Sequence, residues 1–490
     1  MQTERYKNLT ILHSNDLHGD FLASDKNGEL TGGISRLSGY VQKIREEDPN
    51  VIYCISGDML QGSLIDSEYR GISTIEIMNM LGPDVASLGN HETDYGLTHL
   101  LFLERCAWFP IVNANIFIKN PPTRLFQSHV FIEKNGMRIM FIGIITEEVM
   151  SGIRSDSLIS SLIDVNEAAQ EVGRICDTYD SINVDLTVLL THIGFEEDKK
   201  LAALLDDKWG VDIIIGGHTH TKLDKPEIVN EILIVQASEG TGQIGRFELI
   251  VDTANKNIHE YKWQLIPIND SNCPRDQALE KVVRSYKKQT DKKFNRILCR
   301  LPRSLTHPDR YQETELGNLF ADALKTCLGA DIVLCGSAAV RSLSMGPLVS
   351  LGSVIETFPF KEKMYLANVT GEQLKKMWRH ILREEAFTGF HTEFFQISHG
   401  LKITWSRSGQ EFSRFTFMNE PVEDSQTFSI SFSDFHRNNF ITSFGLPLDD
   451  ILKNGREVTI ALDAKEVLIE YFTDNKPKVR GVDGRLKILS

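Results

Sequence analysis

The chain has a shortage of positive charge, which excludes two broad classes of partner. Lysine and arginine total 53 residues against 67 aspartate and glutamate residues, and the formal net charge is -14. Nucleic acids and membrane surfaces are polyanionic and repel such a chain at long range. We therefore expect neither a nucleic-acid polymer nor a membrane as a partner, and an anionic substrate would need a locally positive site.

Cysteine is sparse and shows no paired spacing. The seven cysteines are odd in number, scattered along the chain and free of any C-x-x-C pattern, so neither a disulfide framework nor a thiolate metal site is expected. A reducing compartment is the simplest interpretation. Residues 1–19 hold only a short apolar run before they turn polar, which predicts neither a signal peptide nor a membrane span. These features together predict a cytoplasmic protein.

Low-complexity tracts and repeats of fixed period are also missing. At 490 residues, with 41% hydrophobic and 24% charged residues, the composition is that of an ordinary globular protein. A chain of this length exceeds what one core usually holds. Two domains of unequal size are the expectation.

An alternation of strand and helix patterns marks the N-terminal half as an α/β domain. Short runs rich in Ile, Val and Leu predict strands at residues 9–13, 51–55, 85–88, 138–145, 185–191 and 212–216. Apolar residues at helical spacing predict helices at residues 34–47, 72–81 and 166–179. Residues 232–252 are predicted to close this region as a hairpin, with Gly240 and Gly242 near its turn.

A strongly charged stretch separates this region from a second one. Residues 274–296 have apolar positions spaced for one helix face, which predicts a solvated helix that joins two domains. We therefore predict a first domain at residues 1–269, a helical linker at residues 270–298 and a second α+β domain at residues 299–490.

Potential metal ligands follow five of the predicted strands, at the point where each strand ends. They are Asp16, His18, Asp58, Asn90, His192, His218 and His220. One such residue alone is more often a helix cap or a satisfied core group. Because the carboxyl ends of strands in α/β sheets converge on the ligand site, five occurrences together favour a metal centre.

The ligand types limit the metal. Mixed nitrogen and oxygen donors suit Mn(II), Fe(II) or Zn(II) better than an all-oxygen calcium site or a thiolate site. Seven donors exceed the four ligands usual for one zinc ion. The sequence thus predicts two divalent cations, with one carboxylate shared between them.

The motifs that carry these residues resemble a known family. The blocks "NDLHG", "SGDMLQGS", "GNHETDYG", "THIG" and "GGHTH", within residues 15–220, are similar to those of the calcineurin-type metallophosphoesterases, specifically their 5'-nucleotidase branch. That branch includes bacterial bifunctional metallophosphatases of the 5'-nucleotidase and 2',3'-cyclic nucleotide phosphodiesterase type. The resemblance continues more weakly in "ELGNLFADALK" and "ADIVLCGSAAVR".

The resemblance implies a fold and a division of the ligands. The fold would be an N-terminal four-layer αββα sandwich, followed by a smaller α+β substrate domain on a helical linker. Asp16, His18 and His220 would bind one cation. Asn90, His192 and His218 would bind the other, and Asp58 would bridge both.

Two-metal chemistry would then hydrolyse a phosphoester. Two dications bring four positive charges and Asp16 and Asp58 return two negative ones, so the site stays positive despite the acidic chain. A bridging water that has lost its proton would attack phosphorus in line.

His91 and Asp94 are predicted to assist the leaving group. A histidine oriented by a carboxylate on its second ring nitrogen suits proton transfer to the leaving oxygen, and the resembling family gives this pair the same roles. In the competing interpretation His91 only supports its neighbours and Asp94 caps a helix that begins near Tyr95. Glu92 has no role that the sequence reveals, and a salt bridge or a loop hydrogen bond is expected.

The second domain carries the predicted substrate contacts. By resemblance, Arg310 and Arg341 would contact the phosphate, and Phe360 and Phe435 would stack on a base. Three departures fall in this pocket. The family has asparagine where this chain has Gly336 and Glu362, and its G-G-D-G turn is absent from "HRNNFITSFG" at residues 436–445.

Phosphoester hydrolysis is therefore better supported than the identity of the nucleoside. Candidate substrates are 5'-mononucleotides, 2',3'-cyclic nucleotides, nucleotide sugars, dinucleotides or a phosphoester without a nucleoside. An enzyme of related fold that acts on a thiosulfonate or sulfate ester has less support, since no feature suits a carrier protein. A non-catalytic metal-binding sensor is the third alternative, and the His91–Asp94 pair argues against it.

Overall fold

The computed structural model describes residues 5–26, 28–118, 123–146, 159–162, 164–179, 183–385, 394–474 and 477–489. The chain divides into two compact units, Met1–Thr290 and Asp291–Ser490. The helix Gln277–Phe294 crosses that division. The three-part division with a linker at residues 270–298 stays a prediction.

Two six-stranded sheets form the centre of the first unit. In spatial order the first sheet contains Asn257–Pro267, Gln243–Asp252, Tyr6–Asn15, Val51–Ser56, Val85–Ser87 and Ile111–Val112. The second sheet contains Glu227–Val229, Ile232–Val235, Ile213–Ile215, Leu186–His192, Met137–Ile145 and His129–Lys134. Four neighbouring strands of each sheet are parallel, and the flanking strands are antiparallel.

The two sheets pack face to face through a layer of aliphatic and aromatic side chains. Ile11 and Ile52 from the first sheet and Phe141, Val188 and Ile213 from the second are fully buried in this layer. Because strand side chains alternate between faces, the residues between these positions point outward, where helices cover them.

Helices cover both outer faces of the sandwich. Those against the first sheet include Ile34–Glu47, Leu64–Tyr69, Ile72–Leu81 and Leu97–Cys106, whereas Val165–Tyr179 and Phe195–Leu204 pack against the second sheet. Leu37 and Ile77 lie in one outer core, and Val172 and Leu201 lie in the other. The predicted αββα order of layers is confirmed.

The predicted hairpin at residues 232–252 is wrong. Ile232–Val235 pairs only with strands of the second sheet, whereas Gln243–Asp252 pairs with strands of the first sheet on both of its edges. Residues 236–242 therefore pass from one sheet to the other, and we call them the crossing segment. A local pattern of two strands around glycines does not reveal which partners each strand takes.

The charged helix Gln277–Phe294 is only partly solvated. Leu279 and Val283 are buried in the outer core of the first sheet, together with Cys273 just before the helix. The apolar face predicted from its spacing is therefore used for packing, and the Lys and Arg residues occupy the remaining surface.

The second unit is a mixed α+β structure with two main sheets. One contains Phe395–Ile397, Ile332–Gly336, Thr427–Ser433, Met364–Thr370 and Val458–Ala461, and the other contains Glu420–Pro421, Glu411–Phe417, Leu401–Ser406 and Leu486–Leu489. The α-helices in its described residues are Glu315–Leu328, Leu351–Thr357, Gly371–Ile381, Asp434–Asn438, Phe440–Phe444, Leu448–Leu452 and Ala464–Asp474. The predicted α+β class of the second unit is confirmed.

Short strand pairs complete the described elements. They are Ser24–Lys26 with Glu29–Thr31, Ile297–Arg300 with Leu348–Ser350, and Leu305–Thr306 with Ser344–Met345, beside a three-stranded sheet of Ile159–Leu162, Ile116–Ile118 and Thr123–Arg124. Among the helices of the described ranges, none has the length and apolarity needed to cross a membrane.

Candidate active site

The parallel strands of both sheets direct their carboxyl ends toward one place. Asp16 and His18 follow Tyr6–Asn15, Asp58 follows Val51–Ser56, and the short helical turn Asn90–Thr93 follows Val85–Ser87. From the second sheet, His192 ends its strand, and His218 and His220 follow Ile213–Ile215. Every predicted metal-ligating residue has at least one close polar contact with another member of the set.

Asp16, His18 and His220 form the first cluster. Their donor atoms all lie within 4.8 Å of one another. His18 Nε2 is 3.1 Å from His220 Nε2, and His220 Nε2 is 3.4 Å from Asp16 Oδ1. Two ring nitrogens and a carboxylate oxygen at these distances have the spacing of ligands around one cation. The metal–ligand bonds would then be about 2.1 Å long.

Asp16, Asp58 and His192 form the second cluster. His192 is fully buried, and its Nδ1 donates to the Ser56 carbonyl at 3.0 Å. Its Nε2 has no hydrogen-bond partner in the described residues, although it lies 3.1 Å from Asp58 Oδ2 and 3.7 Å from Asp16 Oδ1. A buried imidazole lone pair that faces two carboxylates fits a divalent cation, since leaving it unsatisfied would be costly.

Asn90 and His218 extend this donor set. Asn90 Oδ1 lies 2.9 Å from His218 Nδ1, and the backbone N–H of His218 donates to Asp16 at 3.0 Å. Asp16 and Asp58 each take part in two of the three carboxylate and imidazole clusters, so the bridging role of Asp58 stays a prediction. The donor chemistry and the spacing fit two sites, whereas the assignment of individual ligands stays a prediction.

The backbone under the predicted ligands is held in an uncommon conformation. The φ angles of Asp16, His18, Asp58, His218 and His220 are 51°, 47°, 51°, 79° and 53°. Each non-glycine residue in this left-handed region costs about 1–3 kcal/mol. Such strain at five of seven predicted ligands is typical of a functional site that the surrounding packing maintains.

Two glycines allow the loops to approach the donors. A Cβ on Gly89 would lie 2.2 Å from Asp58 Oδ1, and one on Gly217 would lie 2.7 Å from His192 Nδ1. Any other residue at either position would displace a predicted ligand. The glycines of "GNHETD" and "GGHTH" are therefore required by close packing around the donors.

The carboxylates in the clusters favour the binding of a positive charge. Burial opposes protonation, yet the carboxylates of Asp58 and Asp16 raise the pKa of His192 to about 10. Burial also opposes ionisation of Asp58, but His192, His91 and His18 hold the pKa of that carboxyl well below its usual range. The carboxylates thus recruit a positive charge, and a bound cation would take the place of the proton.

His91 and Asp94 make the contact that the sequence predicts. His91 Nδ1 lies 2.7 Å from Asp94 Oδ2. Burial lowers the pKa of His91, but Asp94 and Asp58 raise it to about 9. The following helix begins at Leu97 after Gly96, with no side-chain cap, so the alternative role of Asp94 as its N-cap is not found.

His91 also has a position that the sequence did not predict. Its donor atom lies within 4.8 Å of those of His18 and Asp58. Its backbone N–H donates to Asp58 Oδ1 at 2.9 Å. A second possible role, as a metal ligand, is therefore compatible with the geometry, and an experiment must distinguish the two.

Glu92 makes the loop hydrogen bonds expected for it, and through them it supports the site to an extent that the sequence did not reveal. Its buried carboxylate accepts four backbone N–H groups, from Gly89 at 2.6 Å, Asp58 at 2.9 Å, Met59 at 2.8 Å and Leu60 at 3.1 Å. It thereby ties the loop of Asp58 to the loop of Asn90 and His91. The only sequence signal was its place next to two predicted site residues.

A Glu92→Gln variant is expected to lose about 2–6 kcal/mol of unfolding free energy. The amide NH2 of glutamine would face two backbone donors that the carboxylate oxygen now satisfies, at about 1–3 kcal/mol for each unsatisfied group. Urea denaturation with chelator in both samples measures the loss without a metal contribution. Glu227→Gln, at an exposed position of Glu227–Val229, should change stability by less than about 0.5 kcal/mol. Equal stability of the two variants would contradict the role of Glu92.

The predicted substrate residues all lie in the second unit. The guanidinium carbon of Arg341 lies 5.1 Å from the Phe360 ring centroid, and that of Arg310 lies 5.1 Å from the ring of its neighbour Tyr311. Phe435 is 52% exposed. The structure therefore brings Arg341 and Phe360 together, and the substrate roles of all four residues stay predictions.

The segments of Phe360 and Phe435 run side by side. The backbone N–H of Asp434 donates to the Lys363 carbonyl at 2.9 Å, and the Lys363 N–H donates to Asp434 Oδ1 at 3.2 Å. Where the resembling family has a glycine-rich turn, this chain forms the helix Phe440–Phe444. Phe440 and Phe444 are buried in the core of the second unit, so packing explains the different sequence there.

Two family profiles match this chain. One, described as calcineurin-like phosphoesterase, matches residues 9–222, and the other, described as 5'-nucleotidase, C-terminal domain, matches residues 292–442. All of the predicted metal ligands fall within the first match. Arg310, Arg341, Phe360 and Phe435 fall within the second.

Curated relatives align with almost the whole chain. Identity is 26% over 538 residues with the trifunctional nucleotide phosphoesterase protein YfkN of Bacillus subtilis (strain 168), covering 98% of this chain and 35% of that protein. It is 26% over 539 residues with 5'-nucleotidase of Mus musculus, covering 98% of this chain and 90% of that protein. The chain thus spans about a third of the first relative and most of the second.

A solved structure shares the fold. The crystal structure of a 5'-nucleotidase precursor from Thermus thermophilus aligns with a TM-score of 0.78 at 23% identity, covering 99% of this chain and 100% of that chain. At this identity the likeness concerns the fold alone.

Proposed function

This chain belongs to the calcineurin-like phosphoesterases, carries a 5'-nucleotidase C-terminal domain and is a hydrolase of phosphoester bonds, and from that premise we propose that it hydrolyses nucleotides with two divalent cations. Its reactions would be those of a 5'-nucleotidase, a 2',3'-cyclic nucleotide phosphodiesterase, or both. The relatives named above as a 5'-nucleotidase and a nucleotide phosphoesterase support this substrate class.

The observation that carries the proposal is the buried His192 Nε2. This nitrogen has no hydrogen-bond partner in the described part of the chain and faces oxygens of both Asp58 and Asp16. A divalent cation between them would satisfy the lone pair and both carboxylates. The second ring nitrogen is committed to the Ser56 carbonyl, so the imidazole cannot turn away.

The family resemblance divides the donors between two cation positions. Asp16, His18 and His220 would hold one, and Asn90, His192 and His218 would hold the other, with Asp58 shared. Mn, Zn and Fe all suit these nitrogen and oxygen donors. When bound, the two ions would lower the pKa of water and stabilise the negative charge that develops on the phosphoryl oxygens.

His91 would deliver a proton to the leaving oxygen. The carboxylate of Asp94 accepts a hydrogen bond from His91 Nδ1, which fixes the ring and leaves Nε2 for the substrate. His91 is partly exposed, with 25% of its side chain accessible, so a substrate can reach it. Asp94 stabilises the imidazolium form that a proton donor requires.

The second unit would recognise the rest of the substrate. Arg310 and Arg341 supply positive charge for a phosphate group, and Phe360 and Phe435 supply rings for a base. Stacking of a base on such rings is worth roughly 1–3 kcal/mol. The ring of Phe435 is half-exposed, so it is accessible to a base.

A panel of substrates tests the function. We expect Mn(II)-dependent hydrolysis of 5'-mononucleotides or 2',3'-cyclic nucleotides, followed by phosphate release and by chromatography of the nucleoside products. Chelator should abolish the turnover. Hydrolysis of aryl phosphates without any nucleotide would overturn the nucleotide assignment, and full turnover in chelator would overturn the two-cation proposal.

A non-nucleoside phosphoester is the second candidate. The helix Phe440–Phe444 stands where the resembling family has its glycine-rich turn, and its aromatic side chains are committed to the core. A pocket built differently at this point favours a different substrate group. The same panel distinguishes the two candidates through its sugar phosphates and aryl phosphates.

A cytoplasmic location is also part of the proposal. The seven cysteines are odd in number and scattered along the chain, without any C-x-x-C pattern. Free thiols persist in a reducing compartment, whereas oxidising compartments favour disulfides.

A further inference from the structure

The histidines of the candidate metal centre differ in what fixes their second ring nitrogen. His18 Nδ1 lies 3.2 Å from the Gln61 carbonyl, and His192 Nδ1 lies 3.0 Å from the Ser56 carbonyl. His220 Nδ1 instead lies 2.7 Å from Glu239 Oε2. Among these three rings, His220 alone contacts a carboxylate on the side that faces away from the other donors.

Glu239 is held in place by its neighbours in the crossing segment, residues 236–242. On one side, the Ser238 carbonyl accepts a hydrogen bond from Asn15 Nδ2 at 2.5 Å. On the other side, the Gly240 N–H donates to the Asp16 carbonyl at 2.8 Å. The backbone on both sides of Glu239 is therefore attached to the loop that carries Asp16.

A carboxylate on Nδ1 has two effects on an imidazole ligand. It keeps the proton on Nδ1, so that the Nε2 lone pair is free, and it makes that lone pair more basic. The Nε2 of His220 points toward Asp16 Oδ1 at 3.4 Å and His18 Nε2 at 3.1 Å. The hydrogen bond from Nδ1 thus directs the more basic Nε2 lone pair of His220 toward Asp16 and His18.

We propose that Glu239 is a positioning residue that acts through His220 and sets the cation affinity of the Asp16, His18 and His220 cluster. This inference rests on the two-cation centre of the proposed function. It assigns a role to a residue outside the predicted ligands, and it concerns the cation position to which His220 belongs.

Glu239→Gln is the variant that isolates this contact. Glutamine keeps the size of the side chain and its ability to accept a hydrogen bond, but it removes the negative charge behind His220. Loss of such an outer partner typically costs 10–100-fold in metal affinity. We expect one of two Mn(II) ions to bind 10–100-fold more weakly, while the ion near His192 binds as in the wild type.

Calorimetric titration of Mn(II), with metal analysis after dialysis, measures both binding events without a substrate. Glu239→Asp should recover most of the lost affinity, since it restores the charge. Glu231→Gln is the matched control, because Glu231 is an exposed residue in the turn before Ile232–Val235. It should bind both ions like the wild type.

The inference is overturned by wild-type affinity for both ions in Glu239→Gln, or by an equal loss in Glu231→Gln. Failure to bind any Mn(II) in the wild type would overturn it as well. Failure of the proposed function has a different signature, which is two bound ions without hydrolysis of any nucleotide. In that case Glu239→Gln would still bind one of the two Mn(II) ions more weakly than the wild type does, and this result would support the role of Glu239.

Discussion

Replacement of Asp58 by asparagine is expected to lower phosphoester turnover by at least about a thousandfold and to remove bound cation. The residue is 2% exposed and takes part in two of the three donor clusters. Asparagine would remove the negative charge shared by both positions. A loss of about 4 kcal/mol of transition-state stabilisation, within the range attributed to metal ions, corresponds to roughly a thousandfold.

Metal analysis and kcat measured on the same Asp58→Asn preparation check this result. Asp212→Asn is the matched control. Asp212 directly precedes the strand Ile213–Ile215, whereas the predicted ligand His218 follows the same strand. Burial raises the pKa of Asp212 to about 8, so asparagine imitates the form that it mainly holds at neutral pH. The control should keep its metal and its activity. Two bound ions in Asp58→Asn would contradict the bridging role.

His91→Asn is expected to lower kcat by about 100–10,000-fold while the metal content stays unchanged. General acid catalysis by a positioned side chain contributes a factor of this size. Asparagine removes the proton that His91 would donate, but the backbone N–H of residue 91 still reaches Asp58. A substrate with a good leaving group, such as a nitrophenyl ester, should lose much less activity than a nucleotide.

The outcome also decides between the two roles that the geometry allows for His91. Equal losses of metal and of kcat would identify it as a ligand in the cluster with His18 and Asp58. Asp94→Asn should produce a smaller fall in kcat with full metal content, since the ring remains but is no longer oriented. His99→Asn is the control, because His99 contacts the Arg70 carbonyl and should affect neither quantity.

Local patterns in the sequence were sufficient to predict the convergence of the candidate ligands. Hydrophobic runs located the strands, and parallel strands place their following residues at one edge. The helix bounds at residues 34–47 and 72–81 agree with Ile34–Glu47 and Ile72–Leu81. Both helices begin after a glycine and present regularly spaced apolar residues, which is local information.

Features that depend on distant pairing could not be predicted in this way. The crossing segment resembles a hairpin turn, because the pattern of a strand is the same whichever sheet accepts it. Glu92 and Glu239 are ordinary polar loop residues in the sequence. Their importance comes from partners such as Met59 and His220, which the fold brings beside them.

The second unit shows a different limit. Phe360 and Arg341 were chosen through the resemblance, and the structure does place them in contact. Side chains that bind a substrate are often exposed and unsatisfied without it, so the fold alone gives them no distinctive pattern. Their roles depend on the substrate, which the panel of phosphoesters is designed to identify.

The distribution of donors over two sheets has a consequence for biosynthesis. Asp16 and His218 are 202 residues apart in the chain. At about 5–20 residues per second, a ribosome needs roughly 10–40 s to add the second after the first. Until that interval ends, the chain contains Asp16 and Asp58 without the full set of imidazoles from the second sheet. Cations held by donors from both sheets would therefore bind only after the first unit has been completed and both sheets have docked.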